Sequence, residues 1–168
     1  LYEDAHNFPE LDYMTFHMWR KNWSWFDALR VDETYEDSEV RSKAYILQHL
    51  DVAKRLNRPT VLEEFGLERD GADYKLSSGT SVRDRFYTEI FKFIELQVKL
   101  GQPIAGSNFW TWGGFGRAQH EDLIWQAGDP YTGDPPQEAQ GLNSVFDVDA
   151  STLKILSDHG TFMQESQD

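Results

Sequence analysis

Three short apolar runs rich in aromatic residues, DYMTFHM (12–18), TVLEEF (60–65) and PIAGSNFWTW (103–112), are separated by two long stretches whose apolar residues recur at helical spacing. Runs of that length between Pro, Asn and Gly read as strands. Strands that alternate with helices form a parallel sheet, because only a long crossover returns the chain to the same end of the sheet. The first helix is expected from an Asp37 or Ser38 N-cap, with Val40, Ala44, Ile46, Leu47, Leu50, Ala53 and Leu56 inward and Asn57 and Pro59 as its stop. The second is expected from Ser81, with Asp84 completing a capping box, an apolar stripe of Val82, Phe86, Ile90, Phe93, Ile94 and Leu100, and Gly101 just past its end. About 35 residues of Gly, Pro, Asp and Gln then follow the third strand without a period, the mark of a functional loop. A last helix from about Asp149 turns Leu153, Leu156 and Met163 inward. Three strands cannot close a barrel, and an eightfold one takes about 250 residues. The fold class is therefore α/β, either a small open domain or the C-terminal part of something larger.

Composition removes several classes of function. A net charge of −13 argues against binding a phosphate backbone, and the absence of cysteine excludes disulfides, thiolate metal sites and cysteine nucleophiles. No run of about 18 apolar residues predicts a membrane span, and LYEDAHNFPE at the N-terminus lacks the pattern of an export signal. GGFG (113–116) has neither the lysine nor the helix start of a phosphate loop, no G-x-S-x-G elbow occurs, and His6, His17, His49, His120 and His159 show no metal-ligand spacing. No cofactor or metal is expected.

The chemistry gathers at the strand ends. TVLEEFG closes an apolar strand with two carboxylates. Strict alternation puts Leu62, Glu64 and Gly66 on one face and Val61, Glu63 and Phe65 on the other. Glu64, the last charge before the aromatic-glycine exit, is the better candidate for catalysis, since sites in parallel sheets lie at the C-terminal ends of strands. The competing reading is structural, with both glutamates paired to arginines such as Arg69 or Arg83. His17 and Trp19 share a side of the first strand, and Asn108, Trp110 and Trp112 share a face of the third. Trp23, Trp25 and Trp125 fall in loops expected around the same mouth. Indole faces among carboxylates and amides suit sugar rings, whose C–H faces stack and whose hydroxyls need fixed donors and acceptors.

FHMW, LEEFG and FWTWGG, followed by DPPQEAQGLNSVFD and STLKIL, resemble the sixth, seventh and eighth strand ends and the final loop and helix of glycoside hydrolase family 5, its bacterial β-mannanases and mannosidases above all. That resemblance implies the C-terminal part, about strands 6 to 8, of a (β/α)8 TIM barrel whose N-terminal part would be a partner. It implies retaining hydrolysis of β-1,4-mannosidic linkages, with Glu64 as nucleophile, His17 near the substrate and Trp110 beneath the sugar at the cleavage point. Trp19, Trp112, Trp125, Asn108, Arg117 and His120 are expected as further contacts to a β-mannan or manno-oligosaccharide, and an extracellular or periplasmic location is implied. Trp19 departs from the tyrosine that many relatives carry there. The family takes its acid/base from an Asn-Glu pair on strand four, and this chain has no Asn-Glu dipeptide. Two alternatives remain at this stage: a β-1,4-glucanase of the same family, and a carbohydrate-binding domain without catalysis.

Overall fold

The computed structural model describes residues 1–166. In chain order they form α1 (Tyr2–His6), β1 (Met14–Met18), α2 (Val31–Leu56), β2 (Thr60–Phe65), a 3₁₀ turn (Asp70–Ala72), α3 (Ser81–Lys99), β3 (Ile104–Phe109), β4 (Trp112–Gly114), β5 (Val145–Phe146) and α4 (Ala150–Glu165). β1, β2 and β3 make a parallel sheet in that order, and β4 and β5 make a separate parallel pair. The core lies between the first sheet and its helices. Phe16, Met18, Leu62, Phe65 and Ile104 pack against Tyr35, Ile46 and Leu50 of α2 and Phe86, Tyr87, Ile90, Phe91 and Ile94 of α3. Each such side chain contributes about 1.5–3 kcal/mol by leaving water, which holds the strand ends in register.

α2 departs from expectation. It starts at Val31, and its inner face is Tyr35, Ser38, Ser42, Ile46, His49, Leu50 and Ala53, whereas Val40 and Leu47 are exposed. Arg20 is the cause. It is fully buried, its guanidinium stacks 4.6 Å from the Phe86 ring, and it donates to Ser42 Oγ (2.7 Å) and Ser38 Oγ (3.4 Å). A buried cation needs acceptors, so two serines occupy core positions and the helix turns its apolar pattern aside.

α3 begins at Ser81 as expected, but its cap comes from elsewhere. The Asp70 carboxylate accepts from Ser81 N (3.0 Å) and Val82 N (2.9 Å), filling two donors that the first turn leaves open. Asp84 instead accepts from the hydroxyls of Thr80, Ser151 and Thr152, which ties α3 to α4. Gly101 sits at φ 68° beyond the last turn, while Leu100 is exposed rather than inward. In α4, Leu153, Leu156 and Met163 pack on the core. Its buried His159 stacks on Phe91 and lies within hydrogen-bond reach of Ser107 Oγ (3.1 Å) and Glu95 Oε1 (2.9 Å).

β3 ends at Phe109, short of the run read from sequence. Trp110 N still donates to Phe65 O (2.8 Å), but Thr111 then bonds Asn143 and Val145, so the chain leaves the sheet and enters β4. The 30 residues between β4 and β5 hold one antiparallel bridge, Ile124 with Ala139.

Candidate active site

β2 does not alternate to its end. Leu62 and Phe65 are both fully buried in the same core, and the pairing register of β2 with β3 shifts between them. An extra residue in one strand of a pair has this effect. The expected separation of the two glutamates onto opposite faces is therefore overturned: both lie outside the core, part-exposed, at the C-terminal end of the sheet.

They have different partners. Asn108 Nδ2 donates to Glu63 Oε1 at 3.0 Å. His17 stands in register with Glu64, and its Nδ1 lies 3.1 Å from Glu64 Oε2. The imidazole lies against the carboxylate and limits where the Glu64 side chain can turn. Arg69 and Arg83, the alternative partners, are turned away from both glutamates: they bond Asp149 at 2.5 and 2.7 Å in a buried cluster.

Glu64 opens into a cleft of about 250 Å³ lined also by Trp19, Asn22, Trp110, Pro135, Glu138, Leu142 and Asn143. The Trp19 and Trp110 rings meet edge to face at 6.3 Å and 77°. Trp110 is held by Phe65 O on its N–H and by the Tyr87 hydroxyl, which donates to its carbonyl at 3.2 Å. Burial raises the Tyr87 pKa well above its usual value, so this phenol remains a donor. Gly66 has a packing reason: a Cβ built there falls 2.2 Å from Trp110 O. Only glycine lets the third strand end close over the second.

The remaining residues singled out in the sequence are not gathered at Glu64. Asn108 faces Glu63. Trp112 is half exposed, its ring folded against Gly114. Arg117 pairs with Asp147 (2.5 Å) and lies over Phe146. His120 Nε2 lies 2.9 Å from Asp129, whose carbonyl accepts from Trp125 Nε1, and Trp125 stacks on Tyr131. Trp23 and Trp25 pack on each other and on Tyr45 of α2 rather than around the mouth. Asn22, Pro135, Glu138, Leu142 and Asn143 line the cleft without a signal in the sequence: Asn22 stands in the loop four residues after the first strand, and the other four lie in a segment without any period.

The whole chain, residues 1–168, matches the family model for GH family 5 beta-mannosidase-like proteins. The chain belongs to glycoside hydrolase family 5. Over 99% of its length it superposes on a glycoside hydrolase family 5 mannosidase from Rhizomucor miehei, with a TM-score of 0.89 and 30% identity, and covers 41% of that chain. A mutant of the same fungal enzyme, solved in complex with mannosyl-fructose, gives a TM-score of 0.88. Among curated relatives, mannan endo-1,4-beta-mannosidase 4 of Solanum lycopersicum is 28% identical over 112 residues, which are 67% of this chain and 26% of the tomato protein. An endo-beta-1,4-mannanase from Thermotoga petrophila shares the fold alone, at a TM-score of 0.61 and 18% identity. The chain thus carries the mixed α/β fold of family 5 mannosidases, which are TIM barrels, and spans less than half the length of these relatives.

Proposed function

We propose that this chain contributes strands 6 to 8 of a (β/α)8 barrel and the nucleophile of a retaining β-1,4-mannosidase or mannanase. The observation that carries the reading is Glu64 itself: a carboxylate at the C-terminal end of a parallel strand, with His17 Nδ1 3.1 Å from its Oε2, in a cleft walled by Trp19 and Trp110. Glu64 attacks the anomeric carbon, the bond to the leaving oxygen breaks, and a glycosyl-enzyme ester forms. A second carboxylate from the N-terminal part of the barrel, about 5 Å away, protonates the leaving oxygen and then draws a proton from the water that opens the ester. His17 lies against Oε2, leaving Oε1 as the attacking atom, and Trp19 lines the cleft at the position where many relatives carry a tyrosine. Trp110 stacks beneath the sugar ring, and Asn22, Glu138 and Asn143 offer hydroxyl contacts. Mannosides are the favoured substrate class because the relatives that match over most of this chain are named for them. Action on a polysaccharide outside the cell fits an extracellular or periplasmic enzyme.

The test is a pair of variants in the complete barrel. Glu64→Ala loses turnover of manno-oligosaccharides by roughly 10⁴-fold or more, whereas Glu63→Ala keeps its chemistry; the reverse pattern rejects the assignment. Faster hydrolysis of cello-oligosaccharides than of manno-oligosaccharides rejects the substrate class. NMR of the first-formed product reads retention as the β-anomer.

A further inference from the structure

The cleft wall that faces Glu64 comes from an irregular segment, so something other than a ladder of backbone bonds holds it. Pro135, Glu138, Leu142 and Asn143 all reach the cleft from this stretch, and Asp134 at its start is 6% exposed. Asp134 Oδ2 lies 2.8 Å from Gly141 N and 2.8 Å from Ser144 Oγ, and Oδ1 lies 3.4 Å from Asn143 N. One side chain closes the loop from 134 to 144. Gln140 braces it, donating to the carbonyls of Pro135 (2.9 Å) and Glu138 (3.1 Å) and accepting from Thr132 Oγ1 (2.7 Å).

The Ser144 hydroxyl also reaches Thr132 O at 2.6 Å. The Thr132 carbonyl and the Asp134 carboxyl both accept from it, so one hydroxyl joins the end of the loop to the residues before it. Burial pushes the Asp134 carboxyl up, while the Ser144 hydroxyl and the N–H groups of Gly141, Asn143 and Leu142 pull it the other way. The groups that face it are neutral. Of the nearby acids, Asp147 is paired with Arg117, Asp149 with Arg69 and Arg83, and Glu138 lines the cleft.

We propose that Asp134 is a positioning residue for the cleft, a buried carboxyl that accepts from Gly141, Asn143 and Ser144 and so holds Glu138, Leu142 and Asn143 across from Glu64. Its part in substrate binding rests on the function proposed above; its grip on the loop does not. Carboxyl-carbon NMR titration tests the grip. The Asp134 midpoint in the wild type is expected above the ordinary aspartate value of about 3.9, and Ser144→Ala, by removing a donor to the charged form, raises it further. A midpoint that stays or falls in Ser144→Ala overturns the proposal. Kinetics in the complete barrel test the positioning: Asp134→Ala is expected to raise KM for manno-oligosaccharides about tenfold with kcat nearly unchanged, the signature of lost ground-state binding. A fall in kcat at constant KM overturns it. A complete barrel without activity on mannosides rejects the function reading alone, and the titration still decides Asp134.

Discussion

The two walls of the cleft are built by opposite means. Glu64, Trp19 and Trp110 stand on or beside strand ends that a continuous apolar core keeps in place. Glu138, Leu142 and Asn143 hang on a loop whose anchors are buried polar groups: Asp134 inside it, and the Arg69–Asp149–Arg83 cluster where it rejoins the helices. Apolar burial is graded and tolerant, losing stability in proportion to what is removed. A buried charge cluster fails abruptly, because removing one member strands the others without a partner.

That contrast predicts how each wall breaks. Asp149 accepts from both guanidiniums and from Phe146 N (2.9 Å), so Asp149→Ala is expected to cost about 3–5 kcal/mol in urea unfolding. Adding Arg83→Met to that variant should recover part of the loss, which a purely additive core does not do. Phe65 packs among Phe86, Tyr87 and Phe91 at ring distances of 6.0, 5.7 and 5.8 Å. Phe65→Ala is expected to cost a comparable 3–5 kcal/mol, with no second substitution among its neighbours restoring it. Gly66→Ala is smaller in stability, about 1–3 kcal/mol for an overpacked site, but it pushes Trp110 off the cleft, and tryptophan fluorescence of the folded variant reads the displacement.

The smallest effect is on pH. Burial holds the His49 and His159 pKa values below the ordinary range, against the pull of the Tyr45 carbonyl on the first and Glu95 on the second. The unfolded chain therefore binds more protons between the lowered values and the ordinary one. The stability these groups contribute is complete above about pH 6.5 and falls as the pH drops through that value. Wild type should lose more stability than His159→Gln between about pH 7.5 and pH 5.5; equal losses contradict the burial of His159 as a neutral ring.

How much the sequence discloses follows the same division. The order of strands and helices was legible because it is written in apolar period. β2 was legible to the residue, since Thr60 to Phe65 is apolar on the face that meets α2 and α3. The start of α2 was not, because Ser38 and Ser42 belong to its inner face only through Arg20, a partner from another element. The glutamate pair was half legible. Position at the strand's C-terminal end singled out Glu64, but alternation placed the two carboxylates on opposite faces, whereas they share the exposed end through a register shift that leaves no mark in the residue types. The far wall was illegible: Asp134, Gln140 and Ser144 look like loop residues until the fold brings their donors and acceptors together.

The most direct measurement is covalent. A 2-deoxy-2-fluoro-mannosyl fluoride slows opening of the glycosyl ester and traps it, and peptide mapping of the complete barrel after inactivation locates the bond. The ester is expected on Glu64, in the peptide containing VLEEFGLER, with fragmentation placing the added mass on the second glutamate of the pair. Label on Glu63, on a residue outside this chain, or on none contradicts Glu64 as the nucleophile.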